Sequence, residues 1–259
     1  MAFVLPTELA TRMRAARSFG VITGAGISAE SGIPTYRGKG GIYDDPEQGD
    51  RTMEALSAPT LHTDPDRAWQ AIARIAGAAI GAQPNAAHHA LVEIERKVER
   101  FVLLTQNVDG FHAAAGTRNL IDIHGDTFKL LCMQCGWRGD LSRTPDTEPC
   151  IETIVATGKA PRCRCGGTIR PDVVFFGEML PEAKVQRLHD EFYHRVPDAV
   201  ISVGTSNMFP YIVQPVLIAA QQGRLTVEIN PEETEISGCV DYHLKAKAGD
   251  ALTAIALVV

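Results

Sequence analysis

Short apolar runs constrain this chain most: FGVIT at 19–23, FVLLT at 101–105, LIDIH at 120–124, AVISV at 199–203 and LTVEI at 225–229. Each has the length of an ordinary strand. They are nearly free of the polar alternation that a strand with one wet face shows, so both faces of each are expected to be covered. Helical patterns lie between them. Asp64-Pro65 makes a cap and a first helical position, after which Trp69, Ile72, Ile75, Ala76 and Ile80 recur at helical spacing. Pro84-Asn85 opens another helix with Ala90, Leu91 and Ile94 on one face, and residues 181–195 and 210–222 read as two more. This alternation predicts an α/β fold, a doubly wound parallel sheet with helices on both sides.

Two stretches break the rhythm. Residues 130–170 are rich in Cys, Gly and Pro and lack helical periodicity, which suggests a small inserted module held by metal. Residues 35–66 carry Gly38, Gly40, Gly41 and Gly49 among prolines and read as a long irregular loop, and such loops are usually functional. A chain of 259 residues suits one large domain with a smaller module attached. At 45% hydrophobic and 22% charged residues, disorder is excluded. A net charge of −6 disfavours wrapping a phosphate backbone and is compatible with a Lys-bearing partner. The apolar stretch at 212–220 is interrupted by Gln214 and Pro215 and falls far below the ~20 residues that span a bilayer. The N-terminal segment has a Pro and charges where a signal peptide needs an apolar run, so a cytoplasmic location with reduced thiols is expected.

Gly24-Ala25-Gly26-Ile27-Ser28-Ala29 follows the first strand and fits G-x-G-x-x-G/A. Such glycines let backbone approach a pyrophosphate at a helix N-terminus, and they equally serve a plain strand-to-helix turn. A dehydrogenase would continue with a second strand and an acidic ribose ligand ~20 residues on. Here Asp44 and Asp45 fall inside the irregular loop, which argues against hydride transfer. Cys132-x2-Cys135 and Cys163-x-Cys165 offer four thiolates, a closed set for a structural Zn²⁺, whereas Cys150 and Cys239 lack such partners. Gln106, Asn107 and Asp109 follow a strand at the edge where open α/β sheets bind ligands, placed for a ribose or amide, or as loop caps. His124 ends the next strand at the same edge, which suits a general base near neutral pH. Gly204-Thr205-Ser206 and Asn230-Pro231-Glu232 repeat the theme after two further strands.

Together these segments resemble the sirtuins, NAD-dependent protein-lysine deacylases. GAGISAESGIPTYRG at 24–38 is similar to the family's GAGxSxxSGIPxFR, and TQNVDGFH at 105–112 to TQNxDxLH. IHG at 123–125, the two cysteine pairs, PDVVFFGE at 171–178, GTS at 204–206 and INPE at 229–232 follow in family order over nearly the whole chain. The resemblance implies a Rossmann-like domain of the deoxyhypusine-synthase-like NAD-binding type, from residues 1–38, 85–128 and 171–259. It implies a smaller zinc-binding domain from the loop and helix of 39–84 and the module of 129–170. NAD⁺ is then the co-substrate, one Zn²⁺ is structural, and the partner is an acyl-lysine protein or peptide, with no nucleic acid or membrane involved.

Carried over residue by residue, the resemblance sets Gly24, Ala25, Gly26, Ser28, Gln106, Gly204, Thr205, Ser206, Asn230, Glu232 and Ala248 against NAD. Ile33, Asn107 and Asp109 would surround the nicotinamide, and Tyr36 and Arg37 would belong to a cofactor loop. Asn107 and His124 would be catalytic, His124 as the base. Val173, Phe175, Gly177 and Glu178 would border the groove where the peptide adds as a strand. In the implied mechanism the acyl-lysine oxygen attacks the ribose carbon as nicotinamide leaves. His124 then deprotonates a ribose hydroxyl, and free lysine and O-acyl-ADP-ribose result.

The chain departs from the family pattern in places. The second cysteine pair has one spacer residue where the commonest pattern has two. Thr35-Tyr36 stands where many members have Asp-Phe, which leans toward the branch containing desuccinylases. Those enzymes grip an acidic acyl group with a Tyr-x-x-Arg pair, but the aligned positions here are Ile72 and Ile75. An apolar pair leaves a buried carboxylate without a cation, so acetyl or longer apolar acyl groups are expected. A one-residue slip would put Arg74 in the pocket instead. Protein ADP-ribosyl transfer and a non-catalytic NAD sensor are alternative uses of the same site, and a base at His124 favours deacylation over both. A zinc-ribbon nucleic-acid binder would use Arg138, Arg143, Arg162, Arg164 and Arg170, against the acidic balance of the chain.

Overall fold

The apolar runs pair side by side in the computed structural model, which describes residues 3–36, 41–42, 45–141 and 151–259. The strands are β1 (Ser18–Thr23), β2 (Arg100–Thr105), β3 (Leu120–Asp122), β4 (Gly125–Cys132), β5 (Arg138–Asp140), β6 (Ile169–Val173), β7 (Ala199–Val203), β8 (Leu225–Ile229) and β9 (Tyr242–Leu244). One sheet has the order β3-β2-β1-β7-β8-β9, and its pairings are all parallel. The other, β5-β4-β6, is antiparallel. In the first sheet Thr23 lies opposite both Thr105 and Val203, and Val203 opposite Ile229, so the carboxyl ends of four strands are level. The strand order reverses between β1 and β7, and such a switch point opens a crevice at that edge.

The helices are α1 (Thr7–Ala15), α2 (Pro46–Ala55), α3 (Ala58–Thr63), α4 (Pro65–Ala79), α5 (Ala86–Lys97), α6 (Phe111–Ala115), α7 (Ile151–Thr157), α8 (Glu182–Leu188), α9 (Pro210–Gln221) and α10 (Ala248–Val258). Successive side chains of a strand point to opposite faces, and both faces here are apolar. Phe19 and Val21 of β1 pack with Leu9 and Met13 of α1, Leu91 and Ile94 of α5, and Leu252 and Ile255 of α10. Ile22 packs the other way, with Leu188 of α8, Phe192, and Ile212 and Val216 of α9. A third cluster joins Trp69 and Ile72 of α4, Ile154 of α7, and Phe128, Leu130 and Ile169 of the small sheet. There the Trp69 Nε1–H donates to the Ile169 carbonyl at 2.7 Å.

The expected caps are in place. Asp64 accepts from the Arg67 N–H at 3.1 Å with Pro65 at the first position of α4. Asn85 accepts from the Ala87 N–H at 2.9 Å and shares a capping box with His88. The stretch 35–66, expected as an irregular loop, contains two helices instead. Asp45 caps α2 by accepting from the Glu47 and Gln48 N–H groups, with Pro46 at its first position, and Ser57 caps α3. Arg37, Gly38, Gly40 and Asp44 lie outside the described residues, as do Arg143 and Cys150.

Three other elements also differ from expectation. The helix at 181–195 divides into α8 and a π-helical turn, His189–His194. LIDIH shortens to β3, because Gly125, at φ +90°, turns the chain into β4. A Cβ there would lie 1.9 Å from the Asp172 carbonyl oxygen, so no larger residue fits. The Cys- and Gly-rich stretch, expected to lack helical periodicity, carries the helix α7 between β5 and β6. Among the described residues no helix is long and apolar enough to cross a membrane.

Candidate functional site

The turn after β1 packs backbone to backbone against the turn after β7. The Gly26 N–H donates to the Gly204 carbonyl at 2.8 Å, and Gly24 donates to Val203 at 3.1 Å. A Cβ on Gly26 would come within 2.7 Å of the Gly204 backbone, and Gly204 itself has φ +57°. These glycines are therefore required by chain-to-chain contact before any ligand is considered. Ala25–Ser31 follows as a short 3-10 helix whose Ser28 is fully buried.

Polar groups converge on this turn from β2. Asn107 is buried, and its side-chain amide donates to the Gly24 carbonyl at 3.1 Å and reaches the Ser28 hydroxyl at 3.3 Å. The Ser28 hydroxyl donates to Asp109 at 2.7 Å, and Asp109 also accepts from the Phe111 N–H at the start of α6. Gln106 donates to the Thr205 hydroxyl at 2.8 Å, and Asn230 donates to the Thr205 carbonyl at 3.1 Å. Ser206 and Glu232 are exposed beside them, while Ala248 is buried at the start of α10.

Ala25, Ser28, Ile33, Asn107 and Asp109 line one open pocket, together with Pro34, Tyr36, Ile75, Ala76, Ala79, Val108, Thr127 and Phe128. Of the isoleucine pair, Ile75 is a wall of this cavity. Ile72 lies behind it, packed in the core cluster around Trp69. Arg74 is exposed.

His124 sits at the same sheet edge. Its Nδ1 lies 3.0 Å from the Gln106 carbonyl, which only accepts, so Nδ1 carries the proton and Nε2 the lone pair. Nε2 lies 2.7 Å from the Tyr211 hydroxyl. Burial holds the His124 pKa below its ordinary value; the Gln106 carbonyl opposes this and nearby Lys184 adds to it. The imidazole is thus neutral at pH 7.

Among the described residues β6 pairs with no strand but β4, so its other edge is free of strands. Val173 is half-buried and Phe175 buried. Phe176 bridges to the α2–α3 junction through Leu56 and Ala58. Gly177 has φ +88°. Glu178 turns inward: it ion-pairs with Arg170 at 2.5 Å and accepts from the Phe175 N–H, while the Arg170 guanidinium lies over the Phe175 ring.

The four cysteines converge despite the short spacer. The Cys132–Cys165 and Cys135–Cys163 sulfurs are 3.5 and 3.7 Å apart, and all four lie within 4.8 Å of one another. Zinc–thiolate bonds of ~2.3 Å in a tetrahedron place sulfurs ~3.8 Å apart, so the set fits Zn²⁺. The backbone N–H groups of Cys135 and Gln134 lower the Cys132 thiol, whereas hydrogen bonds with Cys165 and Cys132 raise that of Cys135, so full ionisation of the set needs a cation. Gly136 and Gly166, at φ +71° and +87°, make the turns.

Two contributors were missed by sequence reasoning. Glu228 is buried beneath the Thr205 loop, where Asn207, Thr234 and Ser237 all donate to it. Tyr211 follows Pro210, the first residue of α9, and that placement after a strand-end turn was the available signal.

A model of the Sir2 family matches residues 24–210. The NAD-dependent protein deacylase 2 of Pseudomonas syringae pv. tomato is 41% identical over 249 residues, covering 95% of this chain and 96% of that one. A solved Sir2 homologue in complex with ADP-ribose superposes with a TM-score of 0.85 at 34% identity, covering 98% of this chain and 96% of that one. A Sir2 structure with a deacetylated p53 peptide and 3′-O-acetyl-ADP-ribose gives 0.82 at 25% identity, with 96% of each chain covered.

Proposed function

The chain belongs to the Sir2 family, and from that premise we propose that it removes acyl groups from protein lysines with NAD⁺ as co-substrate. Nicotinamide and O-acyl-ADP-ribose are the co-products. One observation carries this reading: Ser28, Asn107 and Asp109 converge on a single pocket at the sheet's switch point, with a neutral, half-buried His124 at the same edge.

The interlocked turns of Gly24, Ala25, Gly26 and Gly204 receive the pyrophosphate. Gln106, Thr205, Ser206, Asn230, Glu232 and Ala248 hold the far half of the dinucleotide. Ile33, Asn107 and Asp109 enclose the nicotinamide, and Tyr36 and Arg37 are assigned to the cofactor loop. His124 takes the proton from a ribose hydroxyl through Nε2. The substrate peptide adds to the free edge of β6 beside Val173, Phe175 and Gly177, while Glu178 and Arg170 brace that edge from within. A Zn²⁺ on Cys132, Cys135, Cys163 and Cys165 supports the small sheet and supplies no chemistry.

Residues 1–38, 85–128 and 171–259 form the dinucleotide-binding domain, and 39–84 with 129–170 the smaller one. A set of four thiolates suits a reducing compartment, which supports a cytoplasmic location. Arg138 is paired with Asp172 and Arg170 with Glu178, which supports a module that binds no nucleic acid.

The acyl group is acetyl or a longer apolar chain. Ile33, Ile75, Ala76, Ala79, Val108 and Phe128 make the cavity walls apolar, and no Lys or Arg is among the described lining residues. A buried succinyl carboxylate would find no cation there. The test is turnover of one peptide in acetyl, longer apolar acyl and succinyl forms with NAD⁺, followed by mass spectrometry. Apolar forms should exceed succinyl by at least ~10-fold. Equal or faster succinyl turnover would overturn the assignment.

A further inference from the structure

We propose that Tyr211 is a catalytic residue that relays the ribose proton to His124. The inference rests on the deacylase reading and adds a group to it. His124 Nδ1–H is engaged by the Gln106 carbonyl, so Nε2 is the only lone pair the imidazole offers, and the Tyr211 hydroxyl lies 2.7 Å from it. With Nε2 as acceptor, the phenol donates. The position from which a hydroxyl would address this base directly is therefore already filled.

The phenol is held there by its surroundings. Tyr211 lies in the first turn of α9, directly after Pro210. Phe209 stacks on its ring at 5.4 Å and 14°, and stands edge-on to His124 at 6.1 Å. The preceding turn is fixed by Asn207, a fully buried residue at φ +55° bonded to Ser202, Thr205, Glu228 and Thr234. Burial pushes the Tyr211 pKa up to about 12, so the hydroxyl keeps its proton at working pH.

The step balances. As the ribose O–H bond breaks, its proton passes to the Tyr211 oxygen, and the phenol proton passes to His124 Nε2. The electron pair left on the ribose oxygen forms the bond to the acyl carbon of the cationic imidate, whose positive charge ends on the imidazolium. Tyr211 emerges neutral, with one proton received and one given.

Tyr211→Phe keeps the ring and its stacking and removes only the hydroxyl. Two rates separate the steps: exchange of labelled nicotinamide into NAD⁺ in the presence of acyl-peptide, which precedes the proton transfer, and formation of O-acyl-ADP-ribose, which follows it. Product formation should fall by ~100-fold, the scale of one proton-transfer catalyst, while exchange stays within about threefold of wild type. Product formation equal to or above wild type would mean that the phenol merely caps the base and swings away, and the proposal is wrong. An equal loss of both rates would assign Tyr211 a structural role and also overturn it. Absence of exchange in the wild-type protein would instead remove the deacylase reading itself.

Discussion

Where β1 and β7 meet, two turns touch backbone to backbone: Gly26 donates to Gly204, and no side chain fits between them. Where β4 ends and β6 begins, four sulfurs face one another within 4.8 Å. The first contact is closed by the chain's own hydrogen bonds. The second brings together groups that repel as thiolates and close only on a cation. The parallel sheet can therefore hold a site in shape before a ligand arrives, and the small sheet depends on an ion for its tip. Chemistry belongs at the first region, where Asn107, Ser28 and Asp109 are already bonded to one another.

Removing metal should separate the two regions most. Structural Zn²⁺ contributes on the order of 10 kcal/mol to small zinc-bound folds. A strong chelator at neutral pH should open residues 125–173 to protease while most helical circular dichroism persists. Unchanged proteolysis with the metal demonstrably gone would break the comparison.

Acid should reach the parallel sheet by a different route. His88 and His112 are fully buried with ring centroids 4.8 Å apart, and His88 Nε2 and His112 Nδ1 have no partner among the described residues. Burial, and then the neighbouring His89, lowers His88 from 6.5 to about 4, and burial with His88 lowers His112 well below its ordinary value. Protons then bind the unfolded chain more readily than the folded one as pH falls below 6.5. The stability that neutral His88 confers is present above that pH and is lost progressively toward pH 4. With zinc in excess, urea unfolding should show a loss of about 2 kcal/mol between pH 7 and pH 5 from His88 alone. His88→Asn should flatten that slope, and parallel slopes for the two proteins would refute the assignment.

The contrast between regions also explains what the sequence made legible. The parallel strands were readable because both faces are apolar, and the cap at Asp64 because Pro65 follows it. Ser28, Asn107 and Asp109 stood out because polar residues gather at strand ends that must otherwise be buried. The helices α2 and α3 were obscured by Gly and Pro, although Asp45-Pro46 carries the same start signal as Asp64-Pro65. The small sheet was unreadable because β5 and β6 are short and β4, though eight residues long, shifts register between Asp126 and Leu130, so no clean period shows. Ile72 and Ile75 are three residues apart on one helix, and only packing distinguishes the core position from the cavity wall. Tyr211 offered only its place after Pro210 as a signal, because its contact with His124 depends on a turn whose shape is set by buried Asn207 and Glu228.

The central claim is that His124 acts as a base on a bound ribose, and its deletion tests that most directly. His124→Ala should bind NAD⁺ within about threefold of wild type and lose formation of O-acyl-ADP-ribose by on the order of 10²–10⁴-fold. Product formation within about threefold of wild type would contradict it.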